Sequence, residues 1–221
     1  MMRPRVTLSF AQTLDGRVAA LDGSSQWISG PESLRFCHRL RATNDAIMVG
    51  IGTVLRDDPR LTVRLVEGRD PVRVIVDTTL RTPLTAAVIR DGAARGTLIA
   101  CTEGAPTERR AALQALGATI LPLPSAPEGG VDLDALLAAL GERGIASVMV
   151  EGGARLLTSL LRARLADAVA ITIAPLILGA GPAAIDNLGI TTLAQAIRLR
   201  NVTWTTHGAD AVIEGAVQYD S

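Results

Sequence analysis

Two segments of the chain place chemically capable side chains directly after apolar strands. Glu151 follows the apolar residues 148–150, and Gly152 and Gly153 then continue the chain without side chains. Ligands of open sheets collect at the carboxyl ends of strands, and a helix that begins after such a turn offers backbone N–H groups to a phosphate. The segment therefore predicts a diphosphate-binding turn beside an acidic group, but a plain tight turn with a solvated Glu151 fits the spacing equally.

The second segment, Gly50-Ile51-Gly52-Thr53, follows the apolar residues 45–49. The Thr53 hydroxyl could contact a phosphate or cap the next helical turn. A third glycine-rich stretch, residues 179–184, loosely matches a dinucleotide fingerprint, but no strand-helix-strand unit with an acidic residue follows at the required distance. We expect that stretch to be a loop that lines a site and not a Rossmann turn.

Arg41 belongs to a polar series whose other members are Ser25, Trp27, Asp57 and Arg64. It repeats at helical spacing with Leu34 and Cys37, which predicts that its guanidinium points inward. An inward arginine needs an anion, either a substrate phosphate or a carboxylate such as Asp57 or Asp58. Asp58 precedes Pro59 and is expected to be extended. His38 and His207 are interpreted as a helix-face residue and a turn residue.

Composition narrows the class of protein. The 221 residues are 48% hydrophobic and 20% charged, and all 22 basic residues are arginine, balanced by 22 acidic residues. The lack of lysine excludes a Schiff-base lysine and a P-loop lysine, and the lack of a basic block gives no nucleic-acid or anionic-membrane footprint. Cys37 and Cys101 lie too far apart for a zinc motif, and no metal site is expected. The sequence predicts a cytoplasmic protein with one domain over residues 1–221.

Hydrophobic periodicity supplies the elements that must position these residues. It predicts strands at about 5–12, 45–49, 72–76, 97–101, 147–150, 168–174, 202–206 and 211–217. It predicts helices at about 31–42, 107–116, 132–142 and 153–163. Such alternation is typical of an α/β fold with a mixed, mainly parallel central sheet, here ending in a C-terminal antiparallel hairpin. The prolines and glycines of residues 122–130 indicate a loop.

Several segments taken in order resemble one enzyme family. They are Ala11-Gln12-Thr13-Leu14-Asp15-Gly16, Ser25-Gln26-Trp27-Ile28-Ser29, Leu40-Arg41-Ala42, residues 45–50, Thr53-Val54, residues 57–64 and Val150-Glu151-Gly152-Gly153. This order resembles the riboflavin-biosynthesis pyrimidine reductases, both the reductase half of the bacterial bifunctional deaminase-reductase and the stand-alone archaeal and fungal enzymes. The resemblance implies a dihydrofolate-reductase-like three-layer fold, NADPH as the hydride donor and a homodimer.

The resemblance also implies roles for individual residues. Around NADPH it places Ala11, Trp27, Gly50, Thr53, Asp57, Thr78, Gly152, Gly153, Ala154, Arg155 and Leu156, with the stretch continuing to Ser159. Arg81 is assigned to the adenosine 2′-phosphate from its position alone. Against the substrate it places Ser25, Arg41, Leu61, Arg64 and Glu151. The two arginines suit a ribose 5-phosphate, while Asp57 and Glu151 are the candidate catalytic carboxyl groups.

The implied reaction converts the ribosyl side chain of 2,5-diamino-6-ribosylamino-4(3H)-pyrimidinone 5′-phosphate, or of 5-amino-6-(5-phosphoribosylamino)uracil, to ribityl. Ser9 stands where the bifunctional enzymes usually carry a lysine, so a mechanism that needs this lysine is not expected. The zinc motifs of a deaminase are missing from the sequence, which implies a separate deaminase. Two alternatives remain open: a reductase of this fold acting on a pterin or folate, and a non-catalytic nucleotide-binding relative.

Overall fold

A computed structural model describes residues 3–219 of the chain. Its strands are β1 (Arg5–Thr13), β2 (Ala46–Gly50), β3 (Val72–Val76), β4 (Thr97–Thr102), β5 (Thr119–Leu123), β6 (Ser147–Gly152), β7 (Ala168–Ala174), β8 (Arg198–His207) and β9 (Asp210–Gln218). Its helices are α1 (Pro31–Thr43), α2 (Ile51–Asp57), α3 (Thr107–Ala115), α4 (Leu133–Glu142) and α5 (Ala154–Arg162). Short 3-10 turns occupy Ala93–Gly96 and Leu193–Gln195. No helix among the described residues is long and apolar enough to cross a membrane.

The strands are hydrogen-bonded in the order β5-β4-β3-β2-β6-β1-β7-β9-β8. The pairs β5-β4, β4-β3, β3-β2 and β1-β7 are parallel, while β7-β9 and β9-β8 are antiparallel. Parallel strands need crossover connections, and most of the helices lie between them in sequence. The predicted mixed, mainly parallel sheet with a C-terminal hairpin is confirmed.

The chain forms two compact units, of which the first contains the segments Arg41–Val63 and Glu67–Val148. Its core is an apolar cluster in which strand residues such as Ile47, Ile75 and Ile99 pack with Val54 of α2 and Leu113 of α3. The strands β2, β3 and β4 are almost continuously apolar, as expected of parallel strands covered on both faces. This unit positions α2 and the loop that follows β3.

The second unit contains Arg5–Leu40, Arg64–Val66 and the chain from Met149 onward. Helix α5 buries a leucine-rich face, and Phe36 of α1 packs with Ala170 and Val212. Helix α1 is fixed at its start by Asp210 of β9, which is 3% exposed. The Asp210 carboxylate accepts hydrogen bonds from the Gly30 N–H at 2.7 Å and the Ser33 hydroxyl at 2.6 Å. A carboxylate distant in sequence therefore provides the contacts expected of a local N-cap.

Three local predictions were wrong. Pro122 lies inside β5 and not in a loop, which the sheet tolerates because β5 is an edge strand. Residues 51–57 form α2, a helix missed because two glycines flank its first residue. Asp58 is not extended before Pro59 but left-handed, with φ 39° and ψ 53°, and it ends α2 with its N–H donating to the Val54 carbonyl. Helix termination outweighed the preference that a following proline imposes.

Candidate active site

The turn from β6 into α5 has the open backbone that a phosphate site needs. Gly152 has φ +121°, a conformation that side chains rarely adopt, and no atom lies within 4 Å of where its Cβ would be. Gly153 is the N-cap of α5 and has no side chain to cap it, while its carbonyl accepts the N–H groups of Leu156 and Leu157. The first N–H groups of a helix have no partner within it, so those of Ala154 and Arg155 are available for an anion, whereas that of Leu156 already donates to Gly153.

Glu151 lies at the end of β6, in the second unit. Its Oε1 accepts a hydrogen bond from the Cys37 thiol of α1 at 3.3 Å. A thiol is a weak donor, so this contact orients the carboxylate without neutralising it. Sequence reasoning missed the pairing because nothing in the spacing of residues 37 and 151 relates them.

His38 lies on α1, as its interpretation as a helix-face residue requires, but it has a partner that sequence reasoning did not identify. The side chain is buried, at 4% exposure, and its Nδ1 accepts the Arg64 backbone N–H at 2.9 Å. A signal was available in the sequence, because His38 is three residues before Arg41 and shares the stripe that predicted an inward arginine. His207, by contrast, ends β8, with its ring 4.9 Å from that of Phe36.

Ser25 and Trp27 lie in a turn and not in an extended segment. The Ile28 N–H donates to the Ser25 carbonyl at 3.1 Å, and the Trp27 side chain is 69% exposed. Ala11 lies within β1, where it pairs with Thr172. An exposed indole with this much free surface can cover the ring of a ligand.

Asp15 holds the third glycine-rich stretch against the end of β1. Its carboxylate accepts from the Thr13 hydroxyl at 2.6 Å and from the N–H groups of Leu178 and Gly179 at 3.1 and 2.7 Å. The Thr13 hydroxyl is the main cause that lowers the pKa of Asp15 to about 2, with the two backbone donors adding to it. The stretch is a loop, as predicted.

In the first unit, α2 carries Thr53 and ends at Asp57. Its N-cap is the extended Gly50, so Thr53 does not have the proposed capping role at this helix. Burial by neighbouring atoms raises the pKa of the Asp57 carboxyl, and the positive charge of Arg56 opposes that rise. Because the side chain still keeps more than a third of its surface accessible, the rise is partial.

Arg41 contacts the segment that follows α2. Its Nη1 donates to the Thr62 carbonyl at 3.0 Å. Beside Thr62, Leu61 is 1% exposed and left-handed, with φ 54°. Asp58, one of the two carboxylates considered as an Arg41 partner, is paired instead with Arg90 at 3.4 Å and accepts the Ala87 N–H.

The loop after β3 presents Thr78 and Arg81 on a rigid frame. Asp77 is fully buried and accepts both the N–H and the hydroxyl of Thr82 at 2.7 Å. Arg109 of α3 donates to the carbonyls of Leu80 and Thr82, so both ends of the loop are fixed while the Arg81 side chain stays exposed. Sequence reasoning found Thr78 and Arg81 but missed Asp77 and Arg109, which hold them.

The predicted site residues thus form one set in each unit. The first unit holds Arg41, Gly50, Thr53, Asp57, Leu61, Thr78 and Arg81; the second holds Ala11, Ser25, Trp27, Arg64 and residues 151–156. Among residues 3–219, no group of histidine, cysteine and acidic side chains could hold a metal ion.

A family model of the RibD C-terminal domain matches residues 4–213. The chain belongs to this family. One relative is the 2,5-diamino-6-ribosylamino-4(3H)-pyrimidinone 5′-phosphate reductase of Methanothermobacter thermautotrophicus. The two sequences are 46% identical over an alignment of 222 positions, which covers 98% of this chain and all of the relative.

Solved structures of the RibD family agree with this family membership. Acinetobacter baumannii RibD aligns with a TM-score of 0.84 at 28% identity, over 98% of this chain and 58% of that one. The riboflavin biosynthesis reductase Rib7 of Saccharomyces cerevisiae aligns with a TM-score of 0.78 at 28% identity, over 99% of this chain and 91% of that one. The chain therefore spans little more than half of the RibD protein but nearly all of the stand-alone reductase.

Proposed function

We propose that the chain is an NADPH-dependent reductase of riboflavin biosynthesis. Its substrate is 2,5-diamino-6-ribosylamino-4(3H)-pyrimidinone 5′-phosphate, whose ribosyl side chain it converts to ribityl. The observation that carries the proposal is the 46% identity, over its full length, to a relative named as the reductase of that compound. The family match across residues 4–213 supports one functional domain over residues 1–221. Two cysteines that are not joined in a disulfide are in keeping with a cytoplasmic location.

Arg41 and Arg64, in this proposal, hold the 5′-phosphate of the substrate, with Ser25 and Leu61 beside it. Guanidinium groups stay charged at any physiological pH and bond phosphate oxygens in pairs. The hydrogen bond from Arg41 Nη1 to the Thr62 carbonyl supports this role, because it fixes the arginine beside the segment that carries Leu61. Orienting the sugar by its phosphate fixes C1′ for reduction.

Asp57 and Glu151 are proposed as the carboxyl groups that act on the opening sugar. Ring opening of the ribosylamine gives an imine at C1′, and a proton must reach the ring oxygen as the C–O bond breaks. The raised pKa of Asp57 favours its protonated form, which supports the assignment of Asp57 as the proton donor. We assign Glu151, whose carboxylate accepts a hydrogen bond from the Cys37 thiol, to stabilising positive charge on the imine nitrogen.

The fit to NADPH rests on the two glycine turns and the loop after β3. When bound, NADPH supplies the hydride. The uncapped first turn of α5, with Gly152, Gly153, Ala154, Arg155 and Leu156, suits its diphosphate. We assign Gly50, Thr53, Asp57 and Thr78 to the same cofactor in the first unit, and Ala11 and Trp27 in the second.

Arg81→Ala is expected to weaken the binding of NADPH but not that of NADH. Arg81 is the exposed cation of a loop held by Asp77 and Arg109, which suits a 2′-phosphate. Loss of one charge-assisted contact is worth about 1.5–3 kcal/mol, so the KM for NADPH should rise about tenfold or more while that for NADH stays nearly constant. The measurement is the ratio of the two KM values. Arg143→Ala, on the exposed end of α4, is the matched control; equal changes for both cofactors would exclude a 2′-phosphate role.

The homodimer is the remaining part of the proposal, and we assign it to β8. This edge strand exposes 39% of Val202 and 67% of Trp204, two residues on one face. A long edge strand that stays uncovered, here with exposed apolar side chains among polar ones, invites pairing with another chain. We expect Trp204→Glu to convert a dimer of the wild-type chain into a monomer in light scattering, with Leu193→Glu, at an exposed site outside β8, as the control. A Trp204→Glu protein that remains dimeric would place the interface elsewhere.

The test of the function is NADPH oxidation by the purified chain with each of the two ribosylaminopyrimidine phosphates. Turnover of the diaminopyrimidinone, faster than that of the aminouracil, is the expected result. Preference for the aminouracil would place the reaction after deamination. Bound NADPH without turnover of either compound would overturn the proposal in favour of another substrate or a binding protein.

A further inference from the structure

His38 fixes the backbone of a residue that the proposed function places on the substrate phosphate. Its buried imidazole accepts the Arg64 N–H at 2.9 Å. We infer that His38 is a positioning residue for phosphate recognition: it does not touch the substrate but holds the Arg64 backbone so that the guanidinium reaches the phosphate. This inference rests on the proposed function, which supplies the phosphate.

The direction of the hydrogen bond defines the state of the ring. A backbone N–H can only donate, so Nδ1 must carry a free electron pair, and the ring proton of the neutral imidazole must lie on Nε2. The hydrogen bond therefore requires one tautomer of the two. A doubly protonated ring would have an N–H where Arg64 needs an acceptor, and could not make this contact.

Arg64 needs such an anchor because of where it lies in the chain. Residues Arg64–Val66 belong to the second unit, although Val63 and Glu67 on either side belong to the first. The surrounding segment, residues 58–71, contains neither helix nor strand, so the regular hydrogen bonds of secondary structure do not hold it. At Arg64, the hydrogen bond that the backbone N–H donates to His38 of α1 takes the place of these regular hydrogen bonds.

The anchor itself is rigid. Helix α1, which carries His38, is tied to β9 by the two hydrogen bonds that Gly30 and Ser33 donate to Asp210. Asp210, Ser33 and His38 are each less than 5% exposed. Arg64 is thus connected to the sheet of the second unit by two consecutive buried contacts, and a change at His38 is transmitted first to the Arg64 main chain.

The experiment compares His38→Asn with His38→Leu. An asparagine can place its amide oxygen close to where Nδ1 lies and so keep an acceptor, whereas a leucine of similar size cannot. Steady-state kinetics are measured on the ribosylaminopyrimidine phosphate and on the same compound without its phosphate. His207→Asn, which removes the other imidazole of the chain, is the control.

We expect His38→Leu to raise the KM for the phosphorylated substrate about tenfold, the effect of one lost hydrogen bond to a buried group. The kcat, the KM for NADPH and the rate on the dephosphorylated compound should change little, and His38→Asn should restore most of the loss. Equal impairment of the two variants, or equal loss on both substrates, would overturn the inference.

A direct measurement keeps the inference testable even if His38→Leu does not fold. Nitrogen-15 spectra of the wild-type chain contain only two imidazole rings, and that of His38 should show the neutral form protonated at Nε2. A proton on Nδ1 would overturn the inference whatever the kinetics. A wild-type chain without turnover would instead refute the proposed function, and the positioning role would fall with it, while the spectrum would still report whether the hydrogen bond exists.

Discussion

The Arg41→Ala, Arg64→Ala double variant should lose between about a hundredfold and ten-thousandfold in kcat/KM on the phosphorylated substrate. Each charge-assisted hydrogen bond to a phosphate is worth about 1.5–3 kcal/mol, and about 1.4 kcal/mol corresponds to a factor of ten. The two arginines act on one group, so their effects should not add exactly, and each single variant should already lose tenfold or more.

The controls separate charge from geometry. Arg41→Lys and Arg64→Lys keep the positive charge but cannot form paired bonds, so intermediate losses are expected. Arg143→Ala removes an exposed arginine that contacts only a carbonyl of its own helix and should behave like the wild type. Full activity of the double variant on the phosphorylated substrate would show that these two arginines do not hold its phosphate.

Asp57→Asn should lower kcat by about a hundredfold or more, the usual contribution of a positioned general acid, and leave the fold almost unchanged. Burial raises the pKa of this carboxyl above 3.8, so the folded protein holds the proton to a higher pH than the unfolded chain does. The ionised form therefore costs stability, and this cost appears as the pH rises from 3.8 through the raised pKa. The amide cannot ionise, so it avoids this cost. At neutral pH, the free energy of unfolding of the variant should lie within about 0.5 kcal/mol of that of the wild type, or slightly above it.

The pH profile tests the role of Asp57. A proton donor must be protonated, so the kcat of the wild type should fall as the pH rises through the raised pKa of Asp57, and this limb should vanish in Asp57→Asn. A kcat that rises over the same range would mean that the carboxylate, and not the acid, is the active form. Urea denaturation at pH 7 supplies the stability comparison, and Glu151→Gln, measured in parallel, shows which carboxyl dominates.

Much of this architecture could be predicted from the sequence because most of the central strands are largely apolar. The residues of β3 and β7 were predicted to the residue, since each apolar run is bounded by polar or turn-forming residues. Helix α2 was missed because Gly50 and Gly52 are typical of a turn, and its stability comes from burying Ile51 and Val54 in the core of the first unit. Tertiary packing therefore outweighed the local preference of Gly50 and Gly52 for a turn.

The residues of the candidate site were proposed from residue type and motif. The residues that hold them in place were not predicted. Asp210, His38 and Arg109 each act on a segment distant in sequence, at separations of 177, 26 and 29 residues. No periodicity relates such partners, because contacts between elements depend on how the chain crosses over. In the structure, Asp210 and His38 are recognised as buried polar residues, and Arg109 by its hydrogen bonds to the carbonyls of Leu80 and Thr82.

The position of Arg109 has a consequence for how the protein responds to acid. Arg109 holds the loop after β3 through the carbonyls of Leu80 and Thr82, and an amide oxygen gains no proton in mild acid. These two contacts therefore persist when acid protonates carboxyl groups elsewhere, so the loop that carries Arg81 keeps part of its support in mild acid.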